Sequence, residues 1–267
     1  MKPTTGKGKP IRTTLALEVD ESRELLSYAA GTRMHTPVML AEATGMRAGE
    51  VLALAWDAVD LVNAEVRVER AWEEVGGVLA LKEPKSAKGK RTIPLPPWAV
   101  DELARLKDEY EVRRREVDKI AGKGAYDMEY GPLVVCDDIG RQWRPGSFAS
   151  RYIVFRADAL ARWTADHSED DPQPDPPKWA RARYHDLRRS AGSQLLVAGV
   201  APKVVSEWLG HFSVAFTMDV YCDVLDSLEQ ESRRLMGDMW AQAGATPGNL
   251  GDKSGANCSD TTHAASE

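Results

Sequence analysis

Residues 184–190 read Tyr184-His185-Asp186-Leu187-Arg188-Arg189-Ser190, and the fold turns on how they are taken. In a helix, side chains three residues apart share a face, so His185 and Arg188 stand one turn apart on the same side. A guanidinium grips a phosphate through its planar fork, and an imidazole moves or shares a proton near neutral pH. Alone, the pair is a weak motif. A single arginine most often ends in a salt bridge, and a single histidine in packing.

Working outward, Arg47 lies in Thr44-Gly45-Met46-Arg47-Ala48-Gly49-Glu50, Lys85 in Glu83-Pro84-Lys85-Ser86, and His211 in Leu209-Gly210-His211. Tyr221 closes Thr217-Met218-Asp219-Val220-Tyr221. On a phosphodiester, Arg47 and Arg188 would take the non-bridging oxygens and offset the charge of a pentacoordinate transition state. Tyr221, with a free pKa of about 10, would attack phosphorus once a base such as His185 removes its proton. Glu50 falls one turn after Arg47, close enough to orient nearby charges.

In this order the residues resemble the active-site series of the tyrosine recombinases, the phage-integrase and Xer-type family. That series is read as Arg, Lys, His-x-x-Arg, His or Trp, Tyr. The resemblance runs from about Glu18 to Trp240, and its ordered motifs are jointly specific. It implies a mainly α fold with a small three-stranded antiparallel β-sheet (α+β). It also implies site-specific strand cleavage and rejoining through a 3′-phosphotyrosyl intermediate, without metal, cofactor or ATP.

Arg47, Lys85, His185, Arg188, His211 and Tyr221 are then the catalytic positions, with Glu50 supporting. The lysine protonates the departing 5′ oxygen from the turn between the second and third strands; Lys88 and Lys90 are rivals of Lys85. His211 would donate to the phosphate. The implied partners are double-stranded DNA, three further copies in a homotetramer joined through the C-terminal helix 227–240, and accessory DNA-bending or directionality proteins. Two other readings stay open: type IB topoisomerase-like relaxation, and a truncated DNA-binding or regulatory protein without activity.

Composition bounds these readings. A 267-residue chain with 43% hydrophobic and 28% charged residues can bury a sizeable core. No apolar run approaches the ~20 residues of a membrane span, and the start lacks a signal-peptide core. A cytoplasmic, nucleoid-associated protein is the expectation. Cys136, Cys222 and Cys258 are odd in number and widely spaced, which fits neither a disulfide framework nor a zinc site. The net charge of −6 argues against a polyanion partner at first sight. Five acidic residues with no Lys or Arg, however, lie within residues 166–177 (Asp166, Glu169, Asp170, Asp171 and Asp175), and the tail is acidic too. The remainder is close to neutral, with basic clusters at Lys2, Lys7, Lys9 and Arg12 and at Lys82, Lys85, Lys88, Lys90 and Arg91.

Along the chain, residues 1–14 read as a flexible linker or arm, 15–240 as the catalytic domain and 241–267 as a disordered tail. The resemblance implies a helical DNA-clamping domain ahead of such a linker. Residues 1–14 have no room for it, so the expectation is a fragment or a protein with half the clamp. Periodicity predicts helices at 19–30, 37–43, from 47 or 48 to 54, 97–120, 148–163, 185–198, 202–209, 216–224 and 227–240. Strands are expected at 66–72, 78–81 and 92–95, with a hairpin turn at Gly76-Gly77 and a mobile basic turn at 85–90. Residues 133–136 read as a short extended piece and 166–177 as a surface loop.

Overall fold

The computed structural model describes residues 15–83, 89–126, 129–170, 172–211, 213–221 and 233–241. Its elements run α1 (Val19–Ala29), α2 (His35–Thr44), α3 (Ala48–Ala53), β1 (Val59–Asp60), β2 (Glu65–Val68), β3 (Ala71–Val75), β4 (Val78–Lys82) and β5 (Arg91–Pro94), followed by α4 (Pro97–Ala121), α5 (Pro145–Asp166), α6 (Tyr184–Val197), α7 (Pro202–Leu209) and α8 (Val214–Val220).

Local sequence sets where these helices begin. Prolines open α4, α5 and α7, where a missing N–H costs nothing. In α1, α3 and α6 a carboxylate three residues along turns back to the backbone N–H just before the helix. Glu21 accepts from Glu18 (3.0 Å), Glu50 from Arg47 (2.9 Å) and Asp186 from Arg183 (2.8 Å). The last two start the helices that carry Arg47 and the His185–Arg188 pair.

The expected three-stranded antiparallel sheet is present as β1-β2-β5, with Val66 opposite both Val59 and Ile93. Two details differ from the reading of the sequence. The strand expected over 66–72 breaks at Glu69-Arg70 into β2 and β3. Furthermore, β3 and β4 form a separate two-stranded hairpin, so that β5 pairs with β2 and not with β4. Gly76 and Gly77, with φ of 59° and 79°, make the hairpin turn that needs a left-handed backbone at both positions. Residues 133–136 contribute only isolated bridges, Leu133 to Ala55 and Cys136 to Gln142.

Buried side chains from α1 to α6 and the sheet form one core, including Leu25, Val38, Leu52, Ile93, Leu103, Phe148, Trp179 and Leu187. Helix α2 lies at its centre, burying Pro37 to Ala41 and Thr44. Helix α6 packs across it, where the Tyr184 hydroxyl donates to the Pro37 carbonyl (2.7 Å) and its ring meets Phe148 edge-on (4.6 Å). The far face of α6 is tied to the start of the first helix: Leu17 N–H donates to Ser190 Oγ (2.8 Å), and Gln194 Nε2 donates to Ser22 Oγ (2.9 Å). Helix α6 is therefore held on both sides.

The chain divides into two units, the first ending at Tyr221. In the second, residues 233–241 are helical, with Leu235, Met236, Met239 and Trp240 exposed. The expected linker 1–14, residues 227–232 of the expected last helix, and residues 242–267 of the expected tail lie outside the described residues. So do Lys85 and Lys88. Among the described residues, no helix is long and apolar enough to cross a membrane.

Candidate active site

The site is organised by the C-terminal end of α7. The last carbonyls of a helix have no partner within it and carry the negative end of its dipole, so they attract cations. Here three consecutive carbonyls each receive an arginine. Trp208 O accepts from Arg91 Nε (2.6 Å), Leu209 O from Arg188 Nη2, and Gly210 O from Arg47 Nη2 (3.2 Å). Gly210 caps the helix with φ +64°, a left-handed turn that favours glycine, and a Cβ there would meet the Arg91 guanidinium at 3.0 Å.

The end of α2 closes the same space. Gly45, at φ +63°, offers its carbonyl to Arg188 Nη1 (2.7 Å). A Cβ at Gly45 would lie 2.4 Å from Leu209 Cδ2, so the two helix ends approach closely only because this residue is glycine. Arg188 is thus 4% exposed and anchored by two helix termini.

Glu50 holds the arginine cluster from beneath. It accepts two bonds from Arg91 (3.0 and 2.8 Å) and one from Arg47 Nη1 (3.0 Å). The Arg91 and Glu50 side chains are only 6% and 7% exposed, whereas that of Arg47 is 46% exposed. Burial alone would raise the Glu50 pKa, but the bonds and charge of Arg91 and then Arg47 bring it down to about 2. Two guanidiniums bond to this one carboxylate, and Arg188 feels only its charge. Burial, then the like charges of Arg47 and Arg91, press the Arg188 pKa down to about 9, still charged at neutral pH. Such a cluster is short of an anion.

The two imidazoles border it. Burial and then Arg188 lower the His185 pKa; the same two causes, followed by Arg47, push that of His211 down to about 4. Both shifts favour the neutral ring at neutral pH. His211 Nδ1 is 2.7 Å from Thr217 Oγ1, and its ring stacks near Tyr221 (centroids 6.4 Å) and against Phe216 edge-on (5.0 Å). A recess of about 360 Å³ opens beside it, lined by Lys90, Arg91, Lys203, Ser206 and His211.

Tyr221 follows the last turn of α8 and is 1% exposed. Its hydroxyl lies over Gly192 of α6, only 2.1 Å from where a Cβ would be, and Arg189 Cζ sits 5.6 Å from its ring centroid. Burial raises the phenol pKa, with Arg188 and Arg189 acting against it. No hydrogen bond ends on this hydroxyl among the described residues. Gly192 is one helical turn beyond Arg188, so in this state the phenol rests beside the arginine cluster and not on it.

Arg47, Glu50, His185, Arg188, His211 and Tyr221 are thus gathered around one pair of helix ends, although the first and the last stand 174 positions apart in sequence. Of the candidate lysines only Lys90 is described; it is exposed and pairs with Glu83 (2.7 Å). Sequence reasoning passed over Arg91, Arg189, Gly192 and Thr217. For Arg91 a signal existed: on β5 it shares a face with the buried Ile93 and Leu95, which points a strand arginine inward. Among the described residues no three His, Cys, Asp or Glu side chains come together as a metal site.

The architecture, a mostly helical body with a small antiparallel sheet, is the tyrosine recombinase catalytic-domain fold. The structure is similar to that of the Tn1549 transposon integrase in complex with transposon right end DNA (TM-score 0.64, 20% identity, covering 86% of this chain and 68% of that one). It is also similar to the XerA recombinase (TM-score 0.56, 19% identity, 82% and 65%).

In sequence the chain resembles the tyrosine recombinases as well. It is 27% identical to a tyrosine recombinase XerC-like protein of Caldanaerobacter subterraneus over 260 residues, 89% of this chain and 60% of that one. It is 28% identical to an integrase of Streptomyces ambofaciens over 225 residues (80% and 50%), and 25% identical to the ICEBs1 integrase of Bacillus subtilis over 196 residues (73% and 46%). No family model matches the chain. The chain spans about half the length of these curated relatives.

Proposed function

We propose that this chain is the catalytic part of a site-specific DNA recombinase, an integrase that cleaves and rejoins strands through a phosphotyrosyl intermediate. The observation that carries this reading is the convergence of Arg47, Arg91 and Arg188 on the end of α7, with one carboxylate among them and Tyr221 alongside. An unbalanced positive cluster at paired helix ends suits the two non-bridging oxygens of a phosphodiester.

The reaction follows from that placement. Arg47 and Arg188 bind the scissile phosphate and offset the charge that grows as phosphorus becomes pentacoordinate. The Tyr221 hydroxyl leaves its position over Gly192, gives its proton to His185 and forms a bond to phosphorus. The bond to the 5′ oxygen breaks, and that oxygen takes a proton from a lysine of the β4–β5 turn, Lys85 in our reading. The broken diester is conserved as a 3′-phosphotyrosyl ester. A 5′ hydroxyl from a partner strand reverses the steps without ATP, and neither metal nor cofactor enters them.

The partner is then double-stranded DNA carrying recombination sites, acted on by a homotetramer, with the exposed apolar side of residues 233–241 as a contact between copies. Accessory DNA-bending or directionality proteins belong to the same proposal, as does a cytoplasmic, nucleoid-associated location. The names of the relatives, recombinases and integrases, support strand exchange over relaxation alone.

The discriminating experiment supplies the chain with two plasmids carrying DNA that flanks its gene. Exchange of flanking markers, lost in Tyr221→Phe, is the expected result. Relaxation of supercoils without exchange would instead make the protein a type IB topoisomerase-like enzyme. Binding without either, unchanged in Tyr221→Phe, would make it a regulator.

A further inference from the structure

Thr217 stands four residues before Tyr221 on α8 and has no exposed surface. Its backbone carbonyl accepts from the Tyr221 N–H (3.1 Å), while its hydroxyl meets His211 Nδ1 at 2.7 Å. The residue therefore connects the second histidine of the site to the nucleophile, and nothing in the proposed reaction has yet used it.

A buried hydroxyl needs an acceptor for its own proton. Among the described residues, His211 Nδ1 is the sole partner of Thr217 Oγ1. If Nδ1 carried the imidazole proton and donated it, the Thr217 proton would be left buried without an acceptor, at a cost comparable to a lost hydrogen bond. With Nδ1 accepting, both groups are satisfied, and the one proton of the neutral ring lies on Nε2.

From this geometry we infer that Thr217 is a positioning residue, whose hydroxyl fixes the proton of His211 on Nε2, the nitrogen left free for a phosphate oxygen. The inference deepens the recombinase reading and rests on it for its consequence. His211 then gives the reacting phosphate an N–H hydrogen bond without surrendering a proton, which suits a ring whose burial and arginine neighbours keep it neutral. His185, which has no such partner among the described residues, stays able to accept.

The test is nitrogen-15 NMR of the imidazoles in the full chain, which has 5 histidines to assign. In the wild type the His211 proton should lie on Nε2. In Thr217→Val, which keeps the side-chain shape, it should distribute over both nitrogens. Phosphotyrosyl product should fall about ten- to a hundredfold, by analogy with the loss when the hydrogen-bond partner of a metal-bound histidine is removed. Thr217→Ser, which restores the hydroxyl, should recover both.

A wild-type proton on Nδ1 would overturn the inference, as would a Thr217→Val protein with unchanged tautomer and unchanged product. Should that variant fail to fold, the wild-type spectrum decides alone. If the wild type makes no covalent product while its tautomer is as expected, the recombinase reading fails and the assignment of Thr217 stands.

Discussion

Glu42 and Glu50 lie eight residues apart on neighbouring helices, and the protein treats them in opposite ways. Glu50 sits among arginines at the mouth of the site and is held ionised down to a pH of about 2. Glu42 is on α2 itself, where it has one bond from Ser22 Oγ (3.0 Å) and leaves Oε1 covered without a partner. Burial raises its pKa to about 8, with the Ser22 bond acting the other way. Buried charge is kept at Glu50, where it organises the arginine cluster, and given up through protonation at Glu42.

The contrast breaks most severely at the arginines. Arg188→Ala should lower strand cleavage by at least about a hundredfold, the order lost with one donor to a transition-state oxyanion. Its far-UV circular dichroism should match the wild type, since the helix ends remain. Loss of that spectrum would make Arg188 a structural residue and remove it from the chemistry.

Next in size is Glu50→Gln, which leaves the buried Arg91 without its counter-charge and should cost about 3–5 kcal/mol in denaturant unfolding. The sign with pH follows from the lowered pKa. The contribution of Glu50 is present above the ordinary value of 4.5 and fades as pH falls towards about 2. Wild type and variant should therefore converge in strong acid.

Glu42→Gln should do the reverse. A raised pKa means that the folded state holds a proton the unfolded chain releases, so stability is highest below 4.5 and falls as pH climbs to about 8. The amide removes that loss, and the variant should gain at least about 1 kcal/mol at pH 7. A variant less stable than wild type at pH 7 would show Glu42 ionised and paired.

The smallest expected effect is that of Lys90→Ala. Its exposed pair with Glu83 contributes little, and the melting temperature should not move. Cleavage should persist as well, because Lys85 is the proposed proton donor. A variant that binds DNA but cannot release a 5′ end would transfer that role to Lys90.

Local chemistry made much of the molecule legible before any coordinates. Pro202 and Gly210 bracket α7, and Gly76-Gly77 announces its hairpin because the turn demands a left-handed backbone. Glu50, one turn after Arg47, marks the start of α3. What escaped depends on partners distant in sequence. Periodicity tells which face of a strand is buried but not which strand it joins, so the pairing of β5 with β2 was invisible. Arg91 was counted only within the basic cluster of residues 82–91, because the carboxylate that buries it lies 41 positions away. Gly192 and Thr217 carry no local signal, because their roles come from what lies against them, Tyr221 over the one and the His211 ring beside the other.

In the proposed reaction Tyr221 is the nucleophile of a metal-independent strand cleavage directed by the arginine cluster. That role is tested most directly by incubating the full chain with nicked duplexes from DNA flanking its gene, in EDTA, and resolving the products on a denaturing gel. The expected result is a protein band shifted by covalent DNA, absent in Tyr221→Phe and in Arg188→Ala. A band that survives Tyr221→Phe, or one that forms only when a divalent metal is supplied, would contradict the account.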